Sequence, residues 1–134
     1  MAAIAISPRS TVELLARDVA AAAEEVHRCL GPGLVASAYR ECLCHELRLR
    51  GVVFDRELTV PLRYKGMPLG SACRLDLVVA GCIVVAVQRT RQLAPVQTAH
   101  LLTCLRLKRL PLGLLIDFNA TSMKAGIVRI ANVA

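Results

Sequence analysis

A hairpin pattern near the middle of the chain carries the side chains that come nearest to a catalytic arrangement. The segment RLDLVVAGCIVVAVQ, residues 74–88, predicts two strands joined by a tight turn at residues 80–82. Asp76 lies on the first strand, and the turn brings it near Ala86 and Gln88 on the second. Mg²⁺ or Mn²⁺ is held beside a phosphate by oxygen ligands that usually include more than one carboxylate. Asp76 beside an alanine is therefore a poor metal site, although it is the best metal ligand that the hairpin offers.

The alternation of side chains along a strand predicts which hairpin residues share a face. Asp76 is expected on the same face as Arg74 and Val78. The opposite face is expected to carry the apolar set Cys73, Leu75, Leu77 and Val79. A simpler role for Asp76 is an ion pair with Arg74 or Arg89, or a hydrogen bond from a backbone amide at the end of the sheet. We favour this structural role over metal binding.

Other residues that often take part in chemistry are isolated along the chain. Cys42 and His45 in CLCHE are three apart on a predicted helix, but a structural zinc site needs about four ligands and no second matching pair follows. His27 and His100 have no evident nucleophile near them in sequence. No Ser-His-Asp set, glycine-rich phosphate loop or dinucleotide signature is present. We therefore expect buried thiols and structural histidines.

Hydrophobic periodicity predicts the elements that must position these residues. Helices are predicted from about Thr11 to Leu30, after a Ser10–Glu13 capping box, from near Leu34 to Gly51, and from Pro95 to about Arg109. Strands are predicted in residues 52–64, in the two arms of the hairpin, and in residues 111–119 and 127–133. The order α, α, β, β, β, α, β, β predicts a single α/β domain over residues 1–134, with a mixed central sheet flanked by helices.

The composition is apolar for a small domain, and the thiols are expected to be reduced. Of the 134 residues, 55% are hydrophobic and only 20% are charged, so part of the excess is expected in a subunit interface. No apolar run approaches the roughly 18 residues of a membrane span, and the first residues do not resemble a secretion signal. We expect no membrane association and a cytoplasmic location. The six cysteines fall inside helix and strand patterns, which favours reduced, mostly buried thiols.

A net charge of +7 favours contact with phosphate or another acidic surface. The basic residues that could form a nucleic-acid surface beside the hairpin are Arg89, Arg91, Arg106, Lys108 and Arg109. Only four aromatic residues are present, so stacking platforms for single strands are scarce. A solvated basic face is an equally good interpretation of these five residues.

Several blocks of the sequence together resemble a known family. EEVHRCLGPGLVASAYRECLCHEL, YKGMPLG, CRLDLVVAGCIVVAVQ, LAPVQTAHLLTCL and PLGLLIDFN look like the blocks of the GxxExxY family, in that family's order. This family is part of the PD-(D/E)XK nuclease superfamily, in which an Asp precedes a strand that bears Glu-x-Lys. The resemblance covers nearly the whole chain, and it implies the restriction-endonuclease-like fold.

The chain departs from the family at the positions that carry the chemistry. In the GxxExxY motif Gly33 and Tyr39 are retained, but Ala36 stands at the Glu position. In the Glu-x-Lys motif both positions differ, as Ala86 and Gln88, and Gln88 has no charge with which to stabilise a developing anion. Tyr39 is interpreted as a core or helix-packing residue. The resemblance thus implies a degenerate site.

The chain also differs from the family on the third helix. The family's third helix is expected to carry a His, and a Gln with a Tyr four residues later. This chain has Gln97, His100 and Cys104 there, so each matching position is replaced. A carboxylate from elsewhere could restore a metal site; the candidates are Glu41, Glu46 and Glu57.

Three functions remain open from the sequence. The first is a catalytically inactive nuclease-fold protein that acts as a structural, self-assembling homo-oligomer, and we favour it. The second is a nucleic-acid-binding pseudo-nuclease with a basic cleft. The third is a nuclease with relocated ligands, which alone would need Mg²⁺ or Mn²⁺, with Asp76 as a ligand; otherwise no cofactor and no metal are expected.

Overall fold

The computed structural model describes residues 8–88 and 95–132, in which helices and strands alternate much as the periodicity predicts. The helices are α1 (Pro8–Leu30), α2 (Ala36–Leu49), α3 (Pro95–Lys108) and the short α4 (Met123–Gly126). The strands are β1 (Phe54–Tyr64), β2 (Met67–Val79), β3 (Ile83–Val87), β4 (Leu112–Ile116) and β5 (Ile127–Ala131).

The five strands form one mixed sheet in the order β1-β2-β3-β4-β5. β3 and β4 are parallel, and every other neighbouring pair is antiparallel. The parallel pair needs a crossover, and α3 lies between β3 and β4 in the chain. β3 is central and almost wholly buried, which explains its continuous apolar sequence IVVAV. The predicted α/β fold class with a mixed sheet between helices is confirmed.

Helices cover both faces of this sheet. On the first face, α1 and α2 bury an apolar core with Leu43 and Leu47 at its centre, together with alternate residues of β3 and β4. On the second face, α3 packs through Leu101 and Leu105 against Val84 and the neighbouring strands. We call these layers the α1/α2 face and the α3 face. Among the described residues, no helix has both the length and the apolar character needed to cross a membrane.

Three local predictions are wrong. α1 already includes Pro8, so Ser10 is at a position inside the helix and not at the predicted N-cap; Glu13 pairs with Arg129 of β5. The short helix α4 was not predicted, because its four residues make about one turn and the apolar spacing that predicts a helix cannot repeat within it. β2 begins at Met67, seven residues before the hairpin arm that the sequence predicts from residue 74, and the turn between β1 and β2 is confined to Lys65 and Gly66.

The β1–β2 hairpin extends well beyond the rest of the sheet. β2 has thirteen residues, but only Leu77–Val79 pair with β3. The register of β1 against β2 shifts on both sides of Pro61, which confirms the irregular edge strand that this proline predicts. Residues 61–71, apart from a half-buried Leu62, are exposed. We call residues 61–71 the hairpin tip.

Candidate functional site

A cavity of about 440 Å³ separates the amino-terminal half of α3 from the sheet. Four of the predicted site residues line it: Asp76 of β2, Ala86 of β3, Gln88 directly after β3, and His100 of α3. The structure therefore brings the degenerate hairpin positions and the third-helix histidine to one place. Gln88 is buried and also lines a second pocket, next to Ala36 and Arg40, so it lies between the two.

The carboxylate of Asp76 is engaged by the protein itself. Its Oδ2 atom accepts a hydrogen bond from the backbone N–H of Val87 at 3.0 Å, and its Oδ1 atom lies 3.4 Å from Nη1 of Arg40. The side chains are only 22% and 15% exposed, so water screens the ion pair less than it screens a surface pair. Continuing the register of Leu77 with Val85 places Ala86 opposite Asp76, where a methyl group offers no ligand.

An irregularity between β1 and β2 turns the strands at Asp76. Glu57, which is opposite Asp76 by register, has φ of 52°, a left-handed conformation that is rare for a residue with a Cβ. As a result, Leu75 packs on the α3 face while Leu77 packs on the α1/α2 face. The prediction that Cys73 and Leu75 share a face with Leu77 and Val79 is therefore wrong. Regular alternation does not hold across this distortion.

Tyr39 supports the fold in the manner that its apolar helix pattern indicates. Its hydroxyl donates a hydrogen bond to Gly31 O at 2.5 Å and accepts one from the N–H of Leu34 at 3.1 Å. Its ring stacks on Phe118 with 4.7 Å between centroids, and the side chain is buried. The Gly31–Leu34 loop is thereby fixed to α2. Ala36 lies on the second pocket and does not line the Asp76 cavity.

The carboxylates that could have restored a metal site are elsewhere and paired. Glu41 binds Arg56, Glu46 binds Arg50, and Glu57 contacts Arg74. None of the three glutamates lines the cavity, whose described acidic residue is Asp76. The hydrogen bond from Arg56 is the main reason that the pKa of Glu41 lies below its ordinary value. Within the part of the chain that the structure describes, Asp76 is the one carboxylate at the cavity and it already has two partners, so these residues do not fit a Mg²⁺ site.

The cysteines are arranged differently from the prediction of reduced thiols throughout. Cys73 of β2 and Cys104 of α3 are paired as a disulfide, with their Cα atoms 6.6 Å apart. His100 lies one helical turn before Cys104, and its Nε2 atom is 3.7 Å from the sulfur. The pair links β2 to α3 at the cavity, a contact that no spacing in the sequence indicates. The other four cysteines are free.

The remaining histidine and cysteine candidates have separate environments. Nε2 of His27 is hydrogen-bonded to Ala120 O at 2.9 Å, which ties α1 to the chain after β4. Cys42 and His45 line a pocket of about 350 Å³ with Cys29. In residues 8–88 and 95–132, these side chains do not form a group of three or more close potential metal ligands.

Three of the five predicted basic residues lie at the carboxyl end of α3. Arg106 and Arg109 line another pocket, of about 520 Å³, together with Asn132 at the carboxyl end of α3. Lys108 is exposed beside them. Arg89 and Arg91 lie outside the described residues. The residues of α3 that line the Asp76 cavity lie between Val96 and Cys104, and the three basic residues are not among them. The nucleic-acid surface stays a prediction.

Arg40 is the functional candidate that sequence reasoning missed. It contacts Asp76 from α2, a separation of 36 residues along the chain. The available signal was a basic residue directly after Tyr39, the last residue of the GxxExxY motif. That signal gives no partner, because the pairing depends on how α2 packs on the end of β3.

The comparison with known families agrees with the mixed sheet between helices. The model of the PD-(D/E)XK nuclease superfamily matches residues 13–130, which is most of the chain. No curated protein and no solved structure matches the chain significantly. The chain belongs to the PD-(D/E)XK nuclease superfamily.

Proposed function

We propose that this protein is a GxxExxY-type member of the superfamily that has lost nuclease activity and acts as a structural protein by assembling with copies of itself. The observation that carries the first half is the contact of Asp76 with Arg40 and with the N–H of Val87. A guanidinium beside the carboxylate meets the need for positive charge that a metal ion meets in a working site. The protein then needs no Mg²⁺ or Mn²⁺.

The hairpin tip supports the second half of the proposal. Three of its large apolar side chains, Tyr64, Met67 and Leu69, are 61%, 62% and 50% exposed. They lie on a two-stranded ribbon that extends past the pairing with β3. Such a ribbon is only marginally stable in water by itself, and exposed strand edges readily pair with other strands.

A second copy of the chain is the partner that this ribbon fits best. Every copy presents the same strand edges and the same apolar side chains. A two-fold axis between two tips would therefore bring the same surface of both copies together. Arg63 and Lys65 at the tip are exposed and bring like charges together in that arrangement. We therefore expect the association to strengthen with salt, because added ions screen this repulsion.

The mass of the purified, nuclease-treated protein tests the assembly directly. We expect sedimentation equilibrium to give a multiple of the 14.5 kDa chain, and the multiple to persist or increase with salt. A variant with Tyr64, Met67 and Leu69 all changed to Ser is expected to be a monomer. Leu14→Ser is the matched control, because Leu14 is 54% exposed on α1 and far from the tip in sequence. A wild type that stays monomeric at all concentrations would refute the assembly.

Nucleic-acid binding is the second candidate, and the pocket at the end of α3 favours it. Arg106 and Arg109 flank this pocket, and the amide of Asn132 is held there by hydrogen bonds to Leu105 O and Leu110 O. Two arginines at one concavity are a suitable phosphate contact.

Salt distinguishes this second candidate from assembly. Phosphate contacts release counterions, so binding of labelled DNA or RNA would weaken steeply with salt, and an Arg106→Ala/Arg109→Ala variant would have a shallower slope. Lys124→Ala, at an exposed position on α4, is the control. No mobility shift at low salt would exclude this candidate.

A further inference from the structure

Three side chains with metal-binding atoms converge beside the Asp76 cavity. They are Cys73 on β2 and the pair His100 and Cys104, one turn apart on α3. Their sulfur and nitrogen atoms all lie within 4.8 Å of one another. Among residues 8–88 and 95–132, no other three potential metal ligands lie this close together.

The donor set determines which ion the group would bind. Two thiolates and one imidazole suit a borderline-soft cation such as Zn²⁺, whereas Mg²⁺ prefers oxygen. His100 and Cys104 are four residues apart, so they project from one side of α3, and Cys73 faces them from the sheet. Because the ligands lie on a strand and a helix, the backbone would move little when an ion binds.

The surroundings leave room for a fourth ligand. His100 and Cys104 line the 440 Å³ cavity, so an ion between them would be reached by water from that side. His100 is exposed and Cys73 is half-buried, so an ion can enter from solvent, while Cys104 is buried. Three protein ligands with one open position distinguish this geometry from a closed structural zinc site.

We propose that Cys73, His100 and Cys104 form a Zn²⁺ site in the reduced protein, and that the Cys73–Cys104 disulfide is the metal-free oxidised form of the same site. A thiol reductant supplies two electrons to break the S–S bond, and two protons give two thiols while the reductant becomes a disulfide. Zn²⁺ then displaces the two thiol protons to solvent and binds the thiolates. The two forms exclude each other because the same sulfur atoms serve both. The site is independent of the proposed assembly.

Metal titration of the reduced full-length protein tests this proposal. Co²⁺ is the first probe, because thiolate ligands give it a charge-transfer absorption, and Zn²⁺ should displace it at one ion per chain. The oxidised protein should not bind. We expect His100→Ala and Cys73→Ser to weaken Co²⁺ binding by more than the roughly tenfold to 100-fold that loss of a partner outside the ligand shell costs.

Cys42→Ser is the matched control, because Cys42 is also half-buried and also has a histidine close on its helix. It should bind as the wild type does. A measurement that needs no variant is the alkylation of the reduced wild type, followed by mass spectrometry of its peptides. Zn²⁺ should slow the labelling of Cys73 and Cys104 but not of exposed Cys29.

Two results would overturn the proposal. One is a reduced wild type that takes up no Co²⁺ or Zn²⁺. The other is binding that survives in Cys73→Ser and His100→Ala, with labelling of Cys73 and Cys104 unaffected by Zn²⁺. Because His100 is exposed, its change to alanine should leave the fold intact, which far-ultraviolet circular dichroism would check.

Discussion

The two faces of the sheet differ in what their polar groups do. On the α1/α2 face, polar groups secure the packing: the Tyr39 hydroxyl joins the loop between the helices, and Asn119 Oδ1 accepts the N–H of Gly33 at 2.7 Å. On the α3 face, Asp76, His100 and two cysteines surround a cavity. The α1/α2 face is built on a closed apolar core, with its pockets at the edges of the helices, whereas on the α3 face a cavity lies directly over the sheet.

This difference gives a physical reason why the fold would persist after the loss of nuclease activity that we propose. The core residues of the α1/α2 face are needed for stability whatever the site does. The cavity residues are not needed to fill space, so Ala86 and Gln88 can stand in it without loss of the sheet. The charge of Asp76 is kept, but its partner is now Arg40.

The largest expected effect compares one leucine on each face. Leu43→Ala removes a wholly buried side chain from the closed core and should lower the free energy of unfolding by about 4 kcal/mol. Leu101→Ala, beside the cavity, should cost about 2 kcal/mol, since some of its contacts are already absent. Urea denaturation measures both. Equal costs would mean that the α3 face is packed as tightly as the other.

Changing a glycine to alanine at two positions tests how tightly the surroundings of each are packed. At Gly126, a Cβ would be 2.5 Å from the backbone oxygen of Asp117, so the backbone must move. At Gly113, it would meet the side-chain ends of Leu101 and Leu105 at 3.0 to 3.2 Å, and the former borders the cavity. We expect Gly126→Ala to cost about 3 kcal/mol and Gly113→Ala about 1 kcal/mol. The reverse order in thermal unfolding would contradict the comparison.

Asp76→Asn tests whether the carboxylate is structural. The amide keeps an acceptor for the N–H of Val87 but loses the charge opposite Arg40, so stability should fall by about 1 kcal/mol. Exposed Asp55→Asn is the control and should change little. Mg²⁺ should leave the wild-type midpoint unchanged. A midpoint that Mg²⁺ raises in the wild type, but not in Asp76→Asn, would indicate a metal site.

The smallest effect concerns pH on the α1/α2 side. The hydrogen bond from Arg56 lowers the pKa of Glu41 in the folded protein. A lowered carboxyl pKa gives stability that is present above the unfolded pKa and is lost as pH falls through the folded pKa. Arg56→Gln should therefore raise the pKa of Glu41 towards its ordinary value, as NMR titration of the carboxyl would show. Glu41 is exposed, so the stability change should be small; an unmoved pKa would exclude this pairing in solution.

Periodicity predicted most of the fold because it is a local property. The helices, the 80–82 turn and the apolar strand before Asp117 follow from spacing that repeats within a few residues. The flip of side chains at Asp76 did not follow, because it depends on Glu57, whose backbone is in the left-handed region on a different strand. Regular alternation could not reveal a distortion shared by two strands.

The sequence predicted which residues belong to the candidate site, but only some of the contacts between them. The resemblance named Asp76, Ala86, Gln88 and His100, and the fold gathers them around one cavity. It did not reveal Arg40, or Cys73 with Cys104, because those contacts join segments 36 and 31 residues apart. Only the packing of α2 and α3 on opposite faces of the sheet determines them.

The central claim is that this nuclease fold has no nuclease activity, and a cleavage assay tests it most directly. Purified protein would be incubated for long periods with single- and double-stranded DNA and with RNA, in Mg²⁺ and in Mn²⁺, beside Asp76→Asn. We predict that the wild type and the variant leave every substrate equally intact. Cleavage by the wild type that requires the metal and disappears in Asp76→Asn would contradict the account.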